Sequence, residues 1–351
     1  MERFSKELQF VLQTLNPFTE QNVLKETPFT GLDEDKLIWI LKKNKLFTKF
    51  SKKLDSQTEF RDEFLAKFKK IKLLNQDLKD FQTRDLSEFV RISKKLSKQD
   101  IHLLLIKSAG EFPHESSNID CLIKPDKLAS TVHILSEEGY YELLNSREPH
   151  KFLFRKKQAP KELPLHIHTR VEWEAVEFAD PQNLRDRARD FMDNETGALV
   201  PSVEDAILIT IAHYFFEDHE IKLYDLLKLW SLVNKENTDW GYIFRQAEKL
   251  RWNDALTLNL NLINRMSTCC FRRNMFEQSA EKNTSISPSW VSKIITFDSN
   301  GLLRIPYGVS ALFFLRKVLR NPEIAFPEKS QQIIYVLSDL LRRRIIGYTP
   351  M

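Results

Sequence analysis

Asn118 and Asp120 stand two residues apart in the run Asn118-Ile119-Asp120-Cys121-Leu122-Ile123. A strand's period of two puts both side chains on one face, where their oxygens could share a metal ion. Upstream, an apolar run beginning at Ile101 ends in Lys107, Ser108, Ala109 and Gly110, a cation followed by a small-residue turn of the size that admits a phosphate. A second polar set lies between Leu163 and Trp173. There His166, His168, Arg170 and Glu172 alternate with Leu165, Ile167, Thr169 and Val171, so a strand would turn those four to one side. Each residue also has a plainer role. Asp120, set among apolar neighbours, would carry a desolvation cost unless paired, and Arg170 or a helix terminus could pair it. His166 and His168 would serve as a solvent-facing strand pair, and Lys107 as a lysine whose stem packs while its head reaches water.

The elements that must position these residues read as helices around one small sheet. Leu86 to Leu96 gives a helix leading into the Ile101 strand. Lys124-Pro125-Asp126 ends the Asp120 strand, and the helix Lys127 to Glu138 stops at Gly139. Tyr140 to Leu144 and Lys151 to Arg155 read as a hairpin. After the break at Asp180-Pro181, a short helix is expected over Leu184 to Met192. Ser202 then caps a strong helix, Val203 to Phe216, with Asp205 at capping-box spacing and His213 within it. Further helices are expected over Ile221 to Val233, Trp240 to Leu250, Ala255 to Met275, Tyr307 to Leu319 and Glu328 to Ile346. Before the sheet, apolar periodicity marks helices near Phe4 to Leu15, Asp33 to Leu46 and Thr58 to Leu74.

Taken together, the Lys107 to Gly110 turn, the Asn118-x-Asp120 strand, Gly139-Tyr140, the His166 to Trp173 strand, Ser202-Val-Glu-Asp205 with His213, Tyr224-Asp225 and Asp239-Trp240 resemble uncharacterised bacterial and archaeal nucleotidyltransferase-like proteins. That group sits in the superfamily that includes DNA polymerase beta. The resemblance spans roughly Asp85 to Leu250 and implies an α+β fold, a small mixed nucleotidyltransferase-like sheet with helical N-terminal and C-terminal sections. Three segments follow: a helical 1–98, an α/β core over 99–180 and a helical 181–351. It also implies a nucleoside triphosphate substrate, transfer of a nucleoside monophosphate to an unknown acceptor, and a divalent cofactor, Mg²⁺ or Mn²⁺. On this template Asp120, Asn118 and His166 take the catalytic positions, Lys107, Ser108 and Gly110 the nucleotide, and Asp120, His166, His168 and Glu172 the metal.

Two departures remove negative charge: Asn118 replaces the first acid of the pair, and His166 stands where relatives carry a strand acid. Mg²⁺ prefers oxygen ligands, so two readings stay open. One is a site for a softer ion such as Mn²⁺ or Zn²⁺; the other is a catalytically inactive nucleotide- or partner-binding relative.

At 351 residues, 42% apolar and 29% charged, the chain can bury a core. Neither a long apolar span nor a signal-like N-terminus is present, which gives the expectation of a cytoplasmic protein with no membrane partner. Its three cysteines have no disulfide or zinc spacing. Net charge is only +4, and the lysines between Lys36 and Lys98 are interspersed with acids, so a basic helical RNA-binding protein is the weaker alternative.

Overall fold

The structure is a computed structural model that describes residues 4–18, 29–107, 118–143, 150–157, 164–173, 176–192, 196–234, 238–276, 296–298, 301–320, 329–330, 332–334 and 338. The Ser108 to Gly110 turn and most of the expected Glu328 to Ile346 helix lie outside these residues.

In chain order the elements begin with α1 (Lys6–Thr14), α2 (Glu34–Lys43), α3 (Phe47–Asp55), α4 (Thr58–Lys67) and the long α5 (Lys69–Ser97). Next come β1 (Leu103–Leu105), β2 (Ile119–Leu122), α6 (Leu128–Glu137), β3 (Tyr140–Leu143), β4 (Lys151–Lys156), β5 (Leu165–His168), β6 (Val171–Trp173) and β7 (Val176–Ala179). The chain continues through α7 (Pro181–Asp186), β8 (Arg189–Asp190), β9 (Ala198–Val200), α8 (Val203–His213), a π turn (Tyr214–Asp218), β10 (Glu220–Ile221) and α9 (Leu223–Val233). It closes with α10 (Trp240–Lys249), α11 (Asn253–Phe271), β11 (Thr296–Phe297), β12 (Leu303–Arg304) and α12 (Tyr307–Arg320). The fold is α+β, with a mixed sheet and helices at both ends. No helix among the described residues is long and apolar enough to cross a membrane.

Two compact units divide the chain. One comprises Met1–Phe81, Asp218–Lys235 and Thr257–Pro306. Its helices start where the sequence supplies caps: Asp33 accepts from the Lys36 amide, Glu34 and Asp35 fill the first turn of α2, and Lys42 and Lys43 the last. Phenylalanines fill its interior, with Phe64 stacked on Phe10 at 5.7 Å and tilted against Phe68 at 4.5 Å.

The other unit comprises Gln82–Glu217, Glu236–Leu256 and Tyr307–Met351. Its seven-stranded sheet has the order β3-β4-β5-β2-β1-β9-β8, with β2 parallel to β5 and antiparallel to β1. Alternation divides the sheet's faces. Leu103, Leu105, Ile119, Cys121, Leu165, Ile167, Ala198 and Val200 point to one side, where Phe89, Ile92 and Leu96 of α5 and Ile134 and Leu135 of α6 complete a core. Each fully buried Leu or Ile there contributes about 1.5–3 kcal/mol. Asp120, His166 and His168 therefore share the opposite face. Near the mouth of β9, Gly197 has φ +67°, and a Cβ there would lie 2.5 Å from Ser97 Oγ, so the approach of β9 to the end of α5 requires glycine.

Four stretches depart from the sequence reading. The expected helix Thr58 to Leu74 breaks at Phe68, so that α4 ends at Lys67 and α5 runs from Lys69 to Ser97 through the helix expected over Leu86 to Leu96. The expected strand through Trp173 bends at Thr169 and Arg170; its second half leaves the large sheet and pairs as β6 with β7, with a register shift between Val171 and Glu172. The helix expected over Leu184 to Met192 begins earlier, because Asp180 caps the amides of Gln182 and Asn183 and Pro181 suits the first turn. It ends before Arg189 and Asp190, which pair with Val200 and Leu199 of β9. Finally, α8 does not continue as α-helix to Phe216 but widens into the π turn.

Candidate metal centre

The parallel register of β2 and β5 sets Asp120 directly beside His166, and His168 follows two residues along the same face. Asp120 is 2% exposed, and its Oδ1 is the common target. His168 Nε2 lies 2.8 Å from it, His166 Nδ1 3.0 Å and Lys107 Nζ 3.5 Å. The two imidazole rings lie 4.2 Å apart. Candidate ligand atoms of Asp120, His166 and His168 all fall within 4.8 Å of one another, close enough to share one ion.

Hydrogen bonding at His166 supports that fit. Its Nδ1 faces both Asp120 Oδ1 at 3.0 Å and Asn118 Nδ2 at 3.1 Å. A ring nitrogen offers either one proton or one lone pair in the ring plane, so it cannot donate to the carboxylate while accepting from the amide. Reversal of the Asn118 amide resolves this conflict and turns its carbonyl oxygen toward Nδ1, where a cation shared by Nδ1 and Oδ1 would take that oxygen as a further ligand. Two nitrogens and one carboxylate oxygen suit Mn²⁺ or Zn²⁺ better than Mg²⁺.

Burial would raise the Asp120 carboxyl, but the Lys107 charge and the hydrogen bonds of His166 and His168 outweigh it and hold Asp120 well below the usual carboxylate range. Burial pushes His168 down to about 4, despite its bond to Asp120. At neutral pH it is therefore a neutral ring, the protonation state a metal ligand needs.

Lys107 is held from a second side. Its Nζ lies 3.2 and 3.4 Å from the two oxygens of Glu217, which also meets His213 Nε2 at 3.2 Å. Burial would raise Glu217, yet Lys107, His213 and Lys151 draw it down to about 2 against the opposing charge of Asp120. Sequence reasoning missed Glu217. It lies in the π turn, where helical spacing gives no correct facing, and only its i+4 relation to His213 hinted at a role.

The other expected site residues divide. Asn118 and Lys107 join the Asp120 group, whereas Glu172 is buried on β6 opposite Glu177, outside the three-residue cluster. Ser108 and Gly110 lie outside the described residues.

A separate concavity of about 820 Å³ on the α5 and α6 side includes Arg91, Lys94, Lys95, Lys98 and Lys127. Much of its charge is already matched: Arg91 pairs with Glu88 and Glu138, Lys95 with Glu138 at 2.6 Å, and Lys127 with Asp100 at 3.1 Å. Among the N-terminal lysines, Lys36 meets Glu7 at 3.0 Å and Lys70 meets Asp35 at 2.7 Å.

A mixed sheet with a carboxylate and two imidazoles converging on one face defines an α+β protein with a candidate metal-binding triad. The chain belongs to the uncharacterised nucleotidyltransferase family, which it matches over residues 30–268. No curated protein and no solved structure gives a significant match. Membership implies a nucleotide substrate and, typically, a divalent ion, for which Asp120, His166 and His168 are the candidate ligands.

Proposed function

We propose that this protein is a metal-dependent nucleotidyltransferase of the polymerase-beta type. In that reaction an acceptor oxygen bonds to the α-phosphorus of a nucleoside triphosphate, the α–β bridging P–O bond breaks, and pyrophosphate leaves. The observation that carries this reading is the convergence of His166 Nδ1 and His168 Nε2 on Asp120 Oδ1. When bound there, a divalent ion, Mn²⁺ or Zn²⁺ by the donor set, supplies positive charge to the phosphate oxygens. Asp120 stays anionic at every physiological pH, and His168 stays neutral, so both keep the lone pairs that ligation requires. Lys107 offers its ammonium to the β- and γ-phosphates, just after β1 and before the Ser108 to Gly110 segment that the sequence reads as a phosphate turn. Asn118, 3.1 Å from His166 Nδ1, would turn its amide oxygen toward the ion.

A second reading, a relative that binds nucleotide or a partner without catalysis, is favoured by the same Asn118, whose amide meets His166 where a second acid would add ligand charge. Calorimetric titration of ATP and the other nucleoside triphosphates, with Mg²⁺, Mn²⁺ or Zn²⁺, into wild type and Asp120→Ala tests both. Metal-dependent binding that the substitution abolishes, together with pyrophosphate release, supports the enzyme. Binding without pyrophosphate release over a panel of hydroxyl and phosphate acceptors supports the second reading. Absence of binding with every ion removes both.

A further inference from the structure

Lys107 is an unusual neighbour for a metal site, since its ammonium lies 3.5 Å from the oxygen on which both imidazoles converge. An arriving divalent ion would meet like charge there. The ammonium is not committed to Asp120, however, because both oxygens of Glu217 are as near or nearer, at 3.4 and 3.2 Å. Moving toward Glu217 would keep Lys107 paired while Asp120 is released. Glu217 is itself fixed by His213, one turn back on the same helical segment, at 3.2 Å. The π turn of Tyr214–Asp218 presents it, and such turns recur at functional sites because they re-aim one side chain within a helix.

We propose that Glu217 is a positioning residue that takes over Lys107 when a divalent ion occupies Asp120, His166 and His168. The inference rests on the metal-site reading above. Formal charge explains the need. With the ion in place, Asp120, Lys107 and the ion alone leave two net positive charges around the buried Asp120, and Glu217 reduces these to one. The remaining positive charge, with Lys107 still close by, suits a triphosphate. Lys151, whose charge also reaches Glu217, adds to the field that keeps this carboxylate ionised.

The test is a double-mutant cycle read by Mn²⁺ binding to metal-stripped full-length protein, followed by the loss of the free-Mn²⁺ paramagnetic signal and by calorimetry. Glu217→Gln weakens Mn²⁺ binding by about 10-fold, within the range of ordinary site-to-site coupling. Lys107→Met binds Mn²⁺ as tightly as wild type or more so. In the Lys107→Met background the Glu217→Gln penalty shrinks to less than about 3-fold, the signature of residues that act through each other. Glu217→Asp, which keeps the charge, recovers part of the loss and serves as the second variant if the glutamine protein does not fold. An equal penalty with and without Lys107 overturns the proposal, because Glu217 would then act by its own field. No penalty in either background also overturns it. Failure of wild type to bind Mn²⁺, Zn²⁺ or Mg²⁺ removes instead the metal-site reading on which it rests.

Discussion

Asp120 and Asp205 are both 2% exposed and lie in the same unit, yet their surroundings differ in kind. Around Asp205 the donors are fixed in place: Tyr242 Oη donates to Oδ1 at 2.7 Å, Ser202 Oγ to Oδ2 at 2.8 Å, and Arg187 Nε to Oδ2 at 3.3 Å. Each donor is held elsewhere as well. Tyr242 Oη accepts from Asn183 at 2.6 Å, Ser202 caps α8, and the Arg187 guanidinium lies 3.9 Å over the Tyr242 ring while reaching Glu204 at 2.7 Å. The result is a clasp joining α7, α8 and α10. At Asp120 three partners crowd one oxygen, two of them rings whose nitrogens are candidate ligand atoms and the third an ammonium with an alternative acid. Burial raises Asp205 in spite of its hydrogen bonds, whereas at Asp120 the neighbouring charge and imidazoles win. A buried carboxylate with every donor anchored serves structure, and one whose partners can exchange serves binding.

The contrast breaks if the two aspartates respond alike. Asp205→Ala strands a phenol, a hydroxyl and a guanidinium and should cost about 3–5 kcal/mol in denaturant unfolding. Asp120→Ala in metal-free protein should cost less than about 2 kcal/mol, because Lys107 retains Glu217 and the neutral His168 ring needs no counter-ion. Metal binding should reverse that order: Asp120→Asn weakens Mn²⁺ binding about 100-fold or more in a calorimetric titration, while Asp205→Asn leaves it within about 2-fold. Tyr242→Phe sharpens the clasp side, removing one phenolic bond for about 1–2 kcal/mol of thermal stability with no change in metal affinity.

Acid titration gives the smallest and most directional effect. The folded pKa of Asp120 is depressed, so its contribution to stability is present above the unfolded value and lost as pH falls through the folded one. Asp205 has a raised pKa, so its contribution is present below the unfolded value and lost as pH rises through the folded one. In metal-free protein between about pH 5 and 2, Asp120→Asn should flatten the acid-side loss of stability and Asp205→Asn should steepen it, each by on the order of 1 kcal/mol.

Much of this arrangement was legible in residue types. Alternation put Asn118 and Asp120 on one face of their strand and His166 and His168 on one face of theirs, the family resemblance brought the two strands to one site, and Ser202 marked its helix start through side-chain capping. Alternation also continued through Glu172, but a period of two cannot record a change of direction, and the bend at Thr169 and Arg170 carried Glu172 to another sheet. The partner of Lys107 was hidden for a related reason. A π turn adds a residue without altering composition, so nothing in Tyr214 to Asp218 announces where Glu217 faces. Asp205 was read as a cap, and its clasp with Tyr242 was invisible because 37 positions separate them.

The strand order has a further consequence for how the protein is made. Asp120 and His168 are 48 positions apart, whereas Lys107 and Glu217 are 110 apart. During synthesis the aspartate and both imidazoles emerge before the glutamate does, so a nascent chain can gather its candidate ligand atoms before Glu217 is available to Lys107. The longer closure adds only about 0.7 kcal/mol of chain entropy. Timing, more than cost, separates the two events, and metal present during translation would meet Lys107 beside Asp120 before Glu217 has emerged.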